Sequence, residues 1–292
     1  YEGTADAVYQ NIDIIESHGP EYIIILAGDH IYKMDYGPMI AFHEHCGADI
    51  TVGVVDVPID RAREFGILTT DVDNRVLKFA EKPQQPDGII GSEHLARASM
   101  GIYVIGMDRL EQVLAQEATR PDSSHDFGKN IIPRAIPDLR VFAYPFRDVK
   151  TRAQNYWRDV GNVDAYYEAN MELVAVNPEL NIYDHQWTIW TYQAQRPPAK
   201  FVLDEDGRRG MAINSMVAGG SIISGATVRN SLLFSDIRRG CNLKRCILDE
   251  GCVVPDGMQI GVDPTMDQKR FYVTKHGVVL VTPDMLRKLD DG

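Results

Sequence analysis

The feature that most constrains the fold is a six-residue recurrence of apolar residues in the last third of the chain. Met216, Ile222, Val228 and Phe234 follow one another at this spacing, and Gly, Asn, Asp and Ser separate the short apolar pairs around them. A repeat of this length is typical of a parallel β-helix, in which each coil stacks its apolar row on the next. A set of short antiparallel strands is the alternative. Four consecutive matches favour the β-helix, although its phase shifts after Phe234.

The preceding part of the chain has a different pattern. "YIIIL" (22–26) is a continuous apolar run, as in a strand covered on both faces. Thr4 can cap a helix that begins at Ala5. Strands and helices then alternate, which predicts an α/β fold with a mostly parallel sheet. We therefore expect an α/β domain over 1–190, a linker over 191–202 and a β-helix domain over 203–292.

Composition excludes several classes of function. The chain has 292 residues and a formal charge of −12, so it is a poor candidate for sequence-independent nucleic-acid binding. No apolar run approaches the roughly 18 residues of a membrane helix. The sequence begins at Tyr1 without a signal segment, and we expect the natural protein to continue upstream.

The cysteines favour a reducing compartment. Cys241, Cys246 and Cys252 lie close together, but their spacing contains no CxxC pair and no His is near. Buried reduced thiols in a cytoplasmic protein are therefore favoured over a zinc site. Cys46 is the fourth cysteine.

A carboxylate follows the first apolar run. In parallel sheets, ligands bind beyond the carboxyl ends of the strands, and "IIILAGDH" puts Gly28 and Asp29 at that end. Gly28 lets a ligand approach the backbone closely, and Asp29 is suited to hold Mg²⁺. The alternative is that Asp29 only caps a turn.

A second carboxylate occurs in "WRDVG" (157–161). Asp159 precedes a glycine that opens a turn into the next helix. Two such turns at α/β junctions suggest a pair of carboxylates that share one metal ion bound to phosphates. The alternative is a helix cap with a surface ion pair to Arg158.

A Glu-Lys pair ends a predicted strand in "FAEKP" (79–83), where Pro83 prevents regular continuation. Lys82 could reach a phosphate as a compact charge, and Glu81 could accept hydrogen bonds from sugar hydroxyls. An exposed, solvated pair is the alternative.

Several motifs together resemble one enzyme family. They are, in chain order, "YEGTADAV", "LAGDHIYKMDY", "FGIL", "FAEKP", "ASMGIYV", "SSHDFGKNIIP", "YWRDVGNVDAYYEAN", "PPAKFV" and "GMQIG". The chain resembles the glucose-1-phosphate adenylyltransferases of the bacterial glycogen pathway over nearly its whole length. The resemblance implies a dinucleotide-binding-like nucleotidyltransferase domain followed by a left-handed parallel β-helix. It also implies a cytoplasmic homotetramer that is controlled by small-molecule allosteric effectors and binds neither nucleic acid nor membranes.

The resemblance assigns an activity and a set of residues. It implies adenylyl transfer from ATP to glucose 1-phosphate, with Mg²⁺ as the cofactor. Asp29 and Asp159 correspond to the metal carboxylates, and Lys82 to the residue that grips the sugar phosphate. The resemblance implies further sugar contacts at Gly66, Glu81, Ser99, Tyr103, Asp126 and Trp157, although Trp157 could instead only fill the core. The remaining nucleotide contacts are Tyr1, Gly3 and Gly28.

Two departures from the family pattern stand out. The family's glycine-rich loop for the triphosphate lies upstream of "YEGTADAV" and is absent from this sequence. The segment "FSDIRRGCNLKRC" omits about one coil that relatives carry, at the place where the repeat shifts phase. Arg196, Lys200, Arg208 and Arg209 are basic residues near the domain junction that could bind an anionic effector or remain solvated.

Other functions stay open. A uridylyl- or thymidylyltransferase would use the same lysine and paired carboxylates. An acyltransferase would need a catalytic His on the β-helix coils, and residues 213–261 contain none. A regulatory, non-catalytic subunit would have lost metal or phosphate residues, whereas Asp29, Lys82 and Asp159 are all present.

Overall fold

The computed structural model of the chain describes residues 1–203, 207 and 209–290. The structure forms two compact units, Tyr1–Trp157 and Arg158–Gly292. This division falls earlier than the domain boundary expected at residue 190, because the helix that follows residue 162 packs with the second unit. The domain limits drawn from sequence texture stay a prediction.

The first unit is built from helices around one sheet. Its helices are α1 (Thr4–Tyr9), α2 (Ile12–Glu16), α3 (Gly37–Cys46), α4 (Met107–Ala118) and α5 (Ile132–Ala135), with a 3₁₀ turn at Ala62–Glu64 and a π-helical turn at Phe127–Ile131. Its strands are β1 (Tyr22–Ile25), β2 (His30–Tyr32), β3 (Ile50–Pro58), β4 (Gly66–Thr70), β5 (Val76–Glu81), β6 (Leu95–Gly106) and β7 (Val141–Pro145). Strand β8 (Trp157–Asp159) begins at Trp157, which is the last residue of this unit.

The α/β architecture is confirmed, with a sheet in the order β5-β4-β6-β3-β7 and β1 also paired to β6. Strands β1, β3, β4 and β7 run in one direction. Among the described strands of this sheet, only β3 and β7 are parallel neighbours, because the long strand β6 runs antiparallel to β1, β3 and β4. Four of the five described pairings in this sheet are antiparallel, where the sequence predicted a mostly parallel sheet. Strand β1 is half-buried and pairs with β6 alone among the described strands, so the continuous apolar run is less enclosed than its sequence indicates.

A glycine interrupts β6 near its middle. Gly101 has a φ of +65°, and a Cβ there would lie 3.3 Å from both Ala27 Cβ and His30 Cε1. The left-handed backbone and the close approach both require glycine. Ser99 and Tyr103 therefore lie on either side of Gly101, at the point where β6 faces the segment that follows β1.

The second unit consists of short strands, with helices α6 (Val163–Glu172), α7 (Pro264–Arg270) and α8 (Pro283–Asp290). Its strands are β9 (Lys200–Val202), β10 (Met211–Ile213), β11 (Met216–Val217), β12 (Ile222–Ser224), β13 (Thr227–Arg229), β14 (Leu232–Leu233), β15 (Asp236–Ile237), β16 (Asn242–Lys244), β17 (Cys246–Leu248), β18 (Val253–Val254), β19 (Gln259–Ile260), β20 (Tyr272–Val273) and β21 (Val279–Val281). Helix α6 packs on this unit through the Tyr167 hydroxyl, which donates to Asn230 O at 2.6 Å.

These strands form three stacked parallel faces, so the β-helix is confirmed. The faces are β9-β12-β15-β18, β10-β13-β16-β19 and β11-β14-β17-β21, the last with β20 added antiparallel to β21. Val228 stacks between Ala212 and Leu243, as the repeat requires. The predicted inward row was wrong at Ile222, which is 39% exposed, whereas Ile223 is fully buried. The buried strand residues from Ile223 to Ile260 follow one another at steps of four to six residues, so the inward row does not keep a strict six-residue spacing.

The clustered cysteines belong to the core of the β-helix. Cys241, Cys246 and Cys252 are buried, and their thiols lie against Pro255 O, Ser231 Oγ and Val281 O respectively. Burial raises the pKa of Cys246 to about 12 and that of Cys252 to about 11. These thiols therefore stay protonated and act as small apolar groups at neutral pH.

Candidate active site

The first cluster of predicted site residues lies where β4 begins and β5 ends. Gly66 pairs with Glu81 across the two strands. A Cβ on Gly66 would lie 2.5 Å from the Phe79 ring and 2.9 Å from Glu81 Oε2, so only glycine fits. Gly128 also faces this carboxylate, because its Cβ would lie 3.3 Å from Glu81 Oε2 and 3.4 Å from Asp126 Oδ1. Sequence reasoning missed Gly128, although it lies inside a quoted motif.

The electrostatics of this cluster fit a polar ligand. Burial raises the pKa of Glu81 above its ordinary value of 4.5, the nearby Lys82 lowers it, and the Asp126 charge raises it further. Burial also raises the pKa of Tyr103 to about 12, while a hydrogen bond with Ser99 opposes that rise. Tyr103 stacks on Phe127 with ring centroids 5.5 Å apart. The phenol is therefore a fixed neutral group beside two carboxylates.

Lys82 adopts a strained backbone conformation. Its φ is +46°, which residues other than glycine seldom adopt, and the following Pro83 restricts it further. Its backbone N–H donates to Phe65 O at 3.0 Å, which holds this conformation in place. Strain of this kind persists at sites where a side chain must point in one direction.

Asp29 lies in the turn between β1 and β2. Its side chain is 59% exposed, and its Oδ1 lies 3.5 Å from His30 Nε2. The Cβ position of Gly28 has open space around it, as close ligand approach requires. Sequence reasoning missed His30, whose Nδ1 is buried without a hydrogen-bond partner.

Trp157 belongs to the first unit and is buried in its core. Its ring meets the rings of His30 and Phe65 edge-on, at centroid distances of 5.0 and 5.6 Å. This packing accounts for its burial, so its contact with sugar stays a prediction. Asp159, in the second unit, lies two residues further along β8. Because side chains alternate along a strand, Asp159 projects on the same side of β8 as Trp157.

The predicted nucleotide residues lie at the start of the chain. Tyr1 is 80% exposed and its hydroxyl accepts a hydrogen bond from Asn11 Nδ2 at 3.2 Å. Gly3 packs directly on the loop that carries Asp126, since a Cβ there would lie 2.2 Å from Ser124 O. The prediction that Thr4 caps α1 was wrong, because α1 begins at Thr4 and its cap, Gly3, offers no side chain.

Thr4 instead joins the nucleotide segment to the sugar loop. Its Oγ1 donates to Asp126 Oδ2 and accepts from the Phe127 N–H, both at 3.1 Å. Asp126 caps the π-helical turn through Lys129 N at 2.9 Å. The two Thr4 contacts span more than 120 positions in the sequence, and no local pattern could indicate them.

The comparisons with known proteins agree with this architecture. Residues 1–175 match the family described as Nucleotidyl transferase, and residues 197–238 and 235–281 match the family described as GlmU-like, C-terminal hexapeptide. The fold and the polar strand ends thus define a nucleotidyltransferase with a left-handed hexapeptide β-helix.

Similar proteins indicate to which group of nucleotidyltransferases the chain belongs. The chain is 52% identical to glucose-1-phosphate adenylyltransferase 2 of Alkalilimnicola ehrlichii and 52% identical to the glucose-1-phosphate adenylyltransferase of Methylococcus capsulatus. It is 53% identical to the enzyme of that name from Nitrosococcus oceani. Each match covers 98% of this chain and 72% of the relative. The chain belongs to the glucose-1-phosphate adenylyltransferase family.

Proposed function

We propose that this protein transfers the adenylyl group of ATP to glucose 1-phosphate, which gives ADP-glucose and pyrophosphate. Relatives that carry this name at about half identity over almost the whole chain support the reaction. The observation that carries the assignment of the sugar site is the convergence of Glu81, Tyr103 and Asp126, with Gly66 and Gly128 packed closely beside the Glu81 carboxylate. This reaction would supply the glucosyl donor for glycogen synthesis.

The geometry supports a division of roles in the sugar site. Glu81 and Asp126 would accept hydrogen bonds from glucose hydroxyls, and Tyr103 and Ser99 would line the same pocket. Lys82 would hold the phosphate of glucose 1-phosphate, because its ammonium is a compact charge on the residue next to Glu81 in this cluster. A phosphate oxygen of the sugar would then be aligned for in-line attack on the α-phosphorus of ATP, and the pyrophosphate would leave on the opposite side.

Asp29 and Asp159 are the residues that would hold Mg²⁺, and the donor set fits it. Carboxylate oxygens are hard ligands, and the Asp29 side chain is open to solvent, with one oxygen 3.5 Å from His30 Nε2. The metal would supply positive charge next to the phosphates during transfer.

The remaining assignments extend this proposal. Tyr1, Gly3 and Gly28 would line the nucleotide site. The protein would act in the cytoplasm as a homotetramer under the control of small-molecule effectors. Of the basic residues near the junction, Arg196 already forms an ion pair with Glu250, and Arg208 lies outside the described residues. No helix in the described part of the chain is both long and apolar enough to cross a membrane.

A nucleotide-substitution assay tests the function. The complete natural protein should form ADP-glucose from ATP and glucose 1-phosphate with Mg²⁺, and it should use UTP and dTTP poorly. Asp29→Ala should lower kcat at least about a hundredfold, as expected when one group that organises transition-state charge is lost. Asp73→Ala, in the exposed turn between β4 and β5, is the matched control. Preference for UTP or dTTP would replace this assignment with another sugar nucleotidyltransferase, and inactivity with every nucleotide would favour a regulatory subunit.

A further inference from the structure

A buried acidic residue lies outside the predicted site, at the end of α4. Glu117 is only 3% exposed although it carries a carboxylate. Its Oε1 accepts a hydrogen bond from the Ser123 hydroxyl, and its Oε2 forms an ion pair with Arg134. A buried carboxylate is costly unless it is paired, and here each oxygen has its own partner.

The same carboxylate faces the imidazole of His125. Glu117 Oε1 lies 3.7 Å from His125 Nδ1, and Glu2 Oε2 lies 3.6 Å from His125 Nε2 on the other side of the ring. The imidazole is nearly buried, and the Ser123 hydroxyl also accepts the His125 backbone N–H at 3.1 Å. The residues 117, 123 and 125 thus form one connected group, called here the Glu117 clamp.

The Glu117 clamp holds a strained turn. His125 has a φ of +48°, a left-handed conformation that costs about 1–2 kcal/mol for a residue with a side chain. Its N–H donates locally to Ser123, whereas the carboxylates that face its ring come from Glu2 and Glu117. Strain that is held by distant residues persists where a structure needs one particular backbone direction.

The turn at His125 is connected to both the nucleotide residues and the sugar residues of the predicted site. Its carbonyl accepts the Ala5 N–H at 2.7 Å and packs against Gly3, so it fixes the segment that follows Tyr1. The next residue is Asp126, whose carboxylate accepts from Thr4 and lies near Glu81. A shift of this one turn would therefore move the nucleotide segment and the sugar carboxylate together.

We propose that Glu117 and His125 are positioning residues that align the nucleotide and sugar halves of the active site through the left-handed turn at His125. They touch neither substrate. Their effect reaches the reaction through Gly3 and Thr4 on one side and Asp126 on the other. The inference deepens the proposed function and rests on it.

The surroundings of Glu117 also offer a direct test. A polar cavity of about 160 Å³ opens beside it, lined by Gln112, Gln116, Arg120, Arg134 and Asp138 among others. An ion as small as formate could enter this cavity and occupy the position of a deleted carboxylate. In the variant Glu117→Ala, added formate could restore the charge between Ser123, His125 and Arg134 without rebuilding the side chain.

The experiment compares Glu117→Gln, His125→Asn and Glu117→Ala in the complete natural protein. Glu111→Gln is the matched control, because Glu111 is exposed on the same helix. Glu117→Gln keeps the shape but removes the charge. His125→Asn keeps a residue that tolerates the left-handed turn but removes the ring. In both variants we expect kcat to fall roughly tenfold to a hundredfold, with KM rising for ATP and for glucose 1-phosphate together, as misalignment predicts.

Formate should recover part of the lost kcat in Glu117→Ala and have no effect on Glu117→Gln or on the control. A purely structural role would lower the melting temperature of these variants but leave kcat and both KM values of the folded fraction unchanged. The inference is overturned if Glu117→Gln and His125→Asn, folded by circular dichroism, match Glu111→Gln within twofold. Failure of the wild-type protein to make ADP-glucose would instead overturn the proposed function.

Discussion

The two units bring polar residues together in different ways. In the first unit, Glu81 lies near Asp126 although they are far apart in sequence. Each of them is next to a residue with a left-handed backbone, Lys82 in one case and His125 in the other. In the second unit, left-handed corners recur at Asn214, Asn230 and Arg245, each one coil after the last. The β-helix thus repeats a local solution, whereas the site depends on long-range convergence. Changes in the β-helix should lower stability first, and changes at the site should lower activity first.

The strongest test of this contrast is a cavity in the β-helix core. Leu243 is fully buried between Val228 and Ile260 in adjacent coils. Leu243→Ala should reduce the free energy of unfolding of the β-helix by about 2–5 kcal/mol, because a cavity forms in a stack that cannot collapse easily. Chemical denaturation measures this loss, and Lys244→Ala on the exposed side of the same strand is the control. A large fall in kcat at low temperature, without loss of stability, would reverse the contrast.

A smaller effect is expected at a corner of the coil. Asn230 has a φ of +47° and its side chain is exposed. Asn230→Ala should destabilise the unit by about 1–2 kcal/mol, since alanine tolerates the left-handed conformation less well. Asn230→Gly is the matched variant and should cost less, because glycine adopts this conformation freely. Equal losses in the two variants would show that the side chain, and not the backbone conformation, determines the effect.

The smallest effect on stability is expected at Glu81, where a substitution should stabilise the protein instead of destabilising it. Burial raises the folded-state pKa of Glu81, so below its ordinary pKa of 4.5 the carboxyl is protonated in both states and costs nothing. As the pH rises, the unfolded state ionises more readily and stability is lost. Glu81→Gln should therefore raise the melting temperature at pH 7 by about 1–2 °C, a small gain because solvent screens a half-buried group.

At pH 4 the gain from Glu81→Gln should vanish, and at pH 7 the affinity for glucose 1-phosphate should fall. Differential scanning calorimetry at the two pH values and steady-state kinetics measure both effects. Glu64→Gln, exposed in the 3₁₀ turn, is the control. Unchanged affinity for glucose 1-phosphate in Glu81→Gln would remove Glu81 from the sugar site.

The sequence predicted most of the architecture because both units have strong local periodicities. The α/β alternation and the six-residue repeat are patterns that neighbouring residues carry by themselves. The sequence-based predictions were wrong where two positions or two sets of partners satisfy the same local rule almost equally well. Ile222 and Ile223 are equally apolar, and only the closure of the coil decides which one is buried. Thr4 looks like a helix cap, but its hydroxyl is more fully satisfied by Asp126 and Phe127.

The site could be predicted in part for a related reason. Carboxylates and a lysine at strand ends can be read from the sequence, since a polar group rarely follows an apolar run without a role. His30 and Glu117 could not be found in this way. A histidine next to an aspartate and a glutamate on a helix are ordinary in sequence, and their meaning depends on burial and on partners brought from elsewhere in the chain.

The amino-acid sequence by itself determined the order of the strands and helices along the chain, the repeat that winds the β-helix and the residue types available for phosphate and sugar chemistry. Only the tertiary structure decided which of those residues meet, that Gly3 packs against Ser124 and His125, and that a buried glutamate faces the turn between them. The physical reason is that periodicity is a property of neighbours, whereas close packing and the pairing of buried charges are properties of groups that folding brings together.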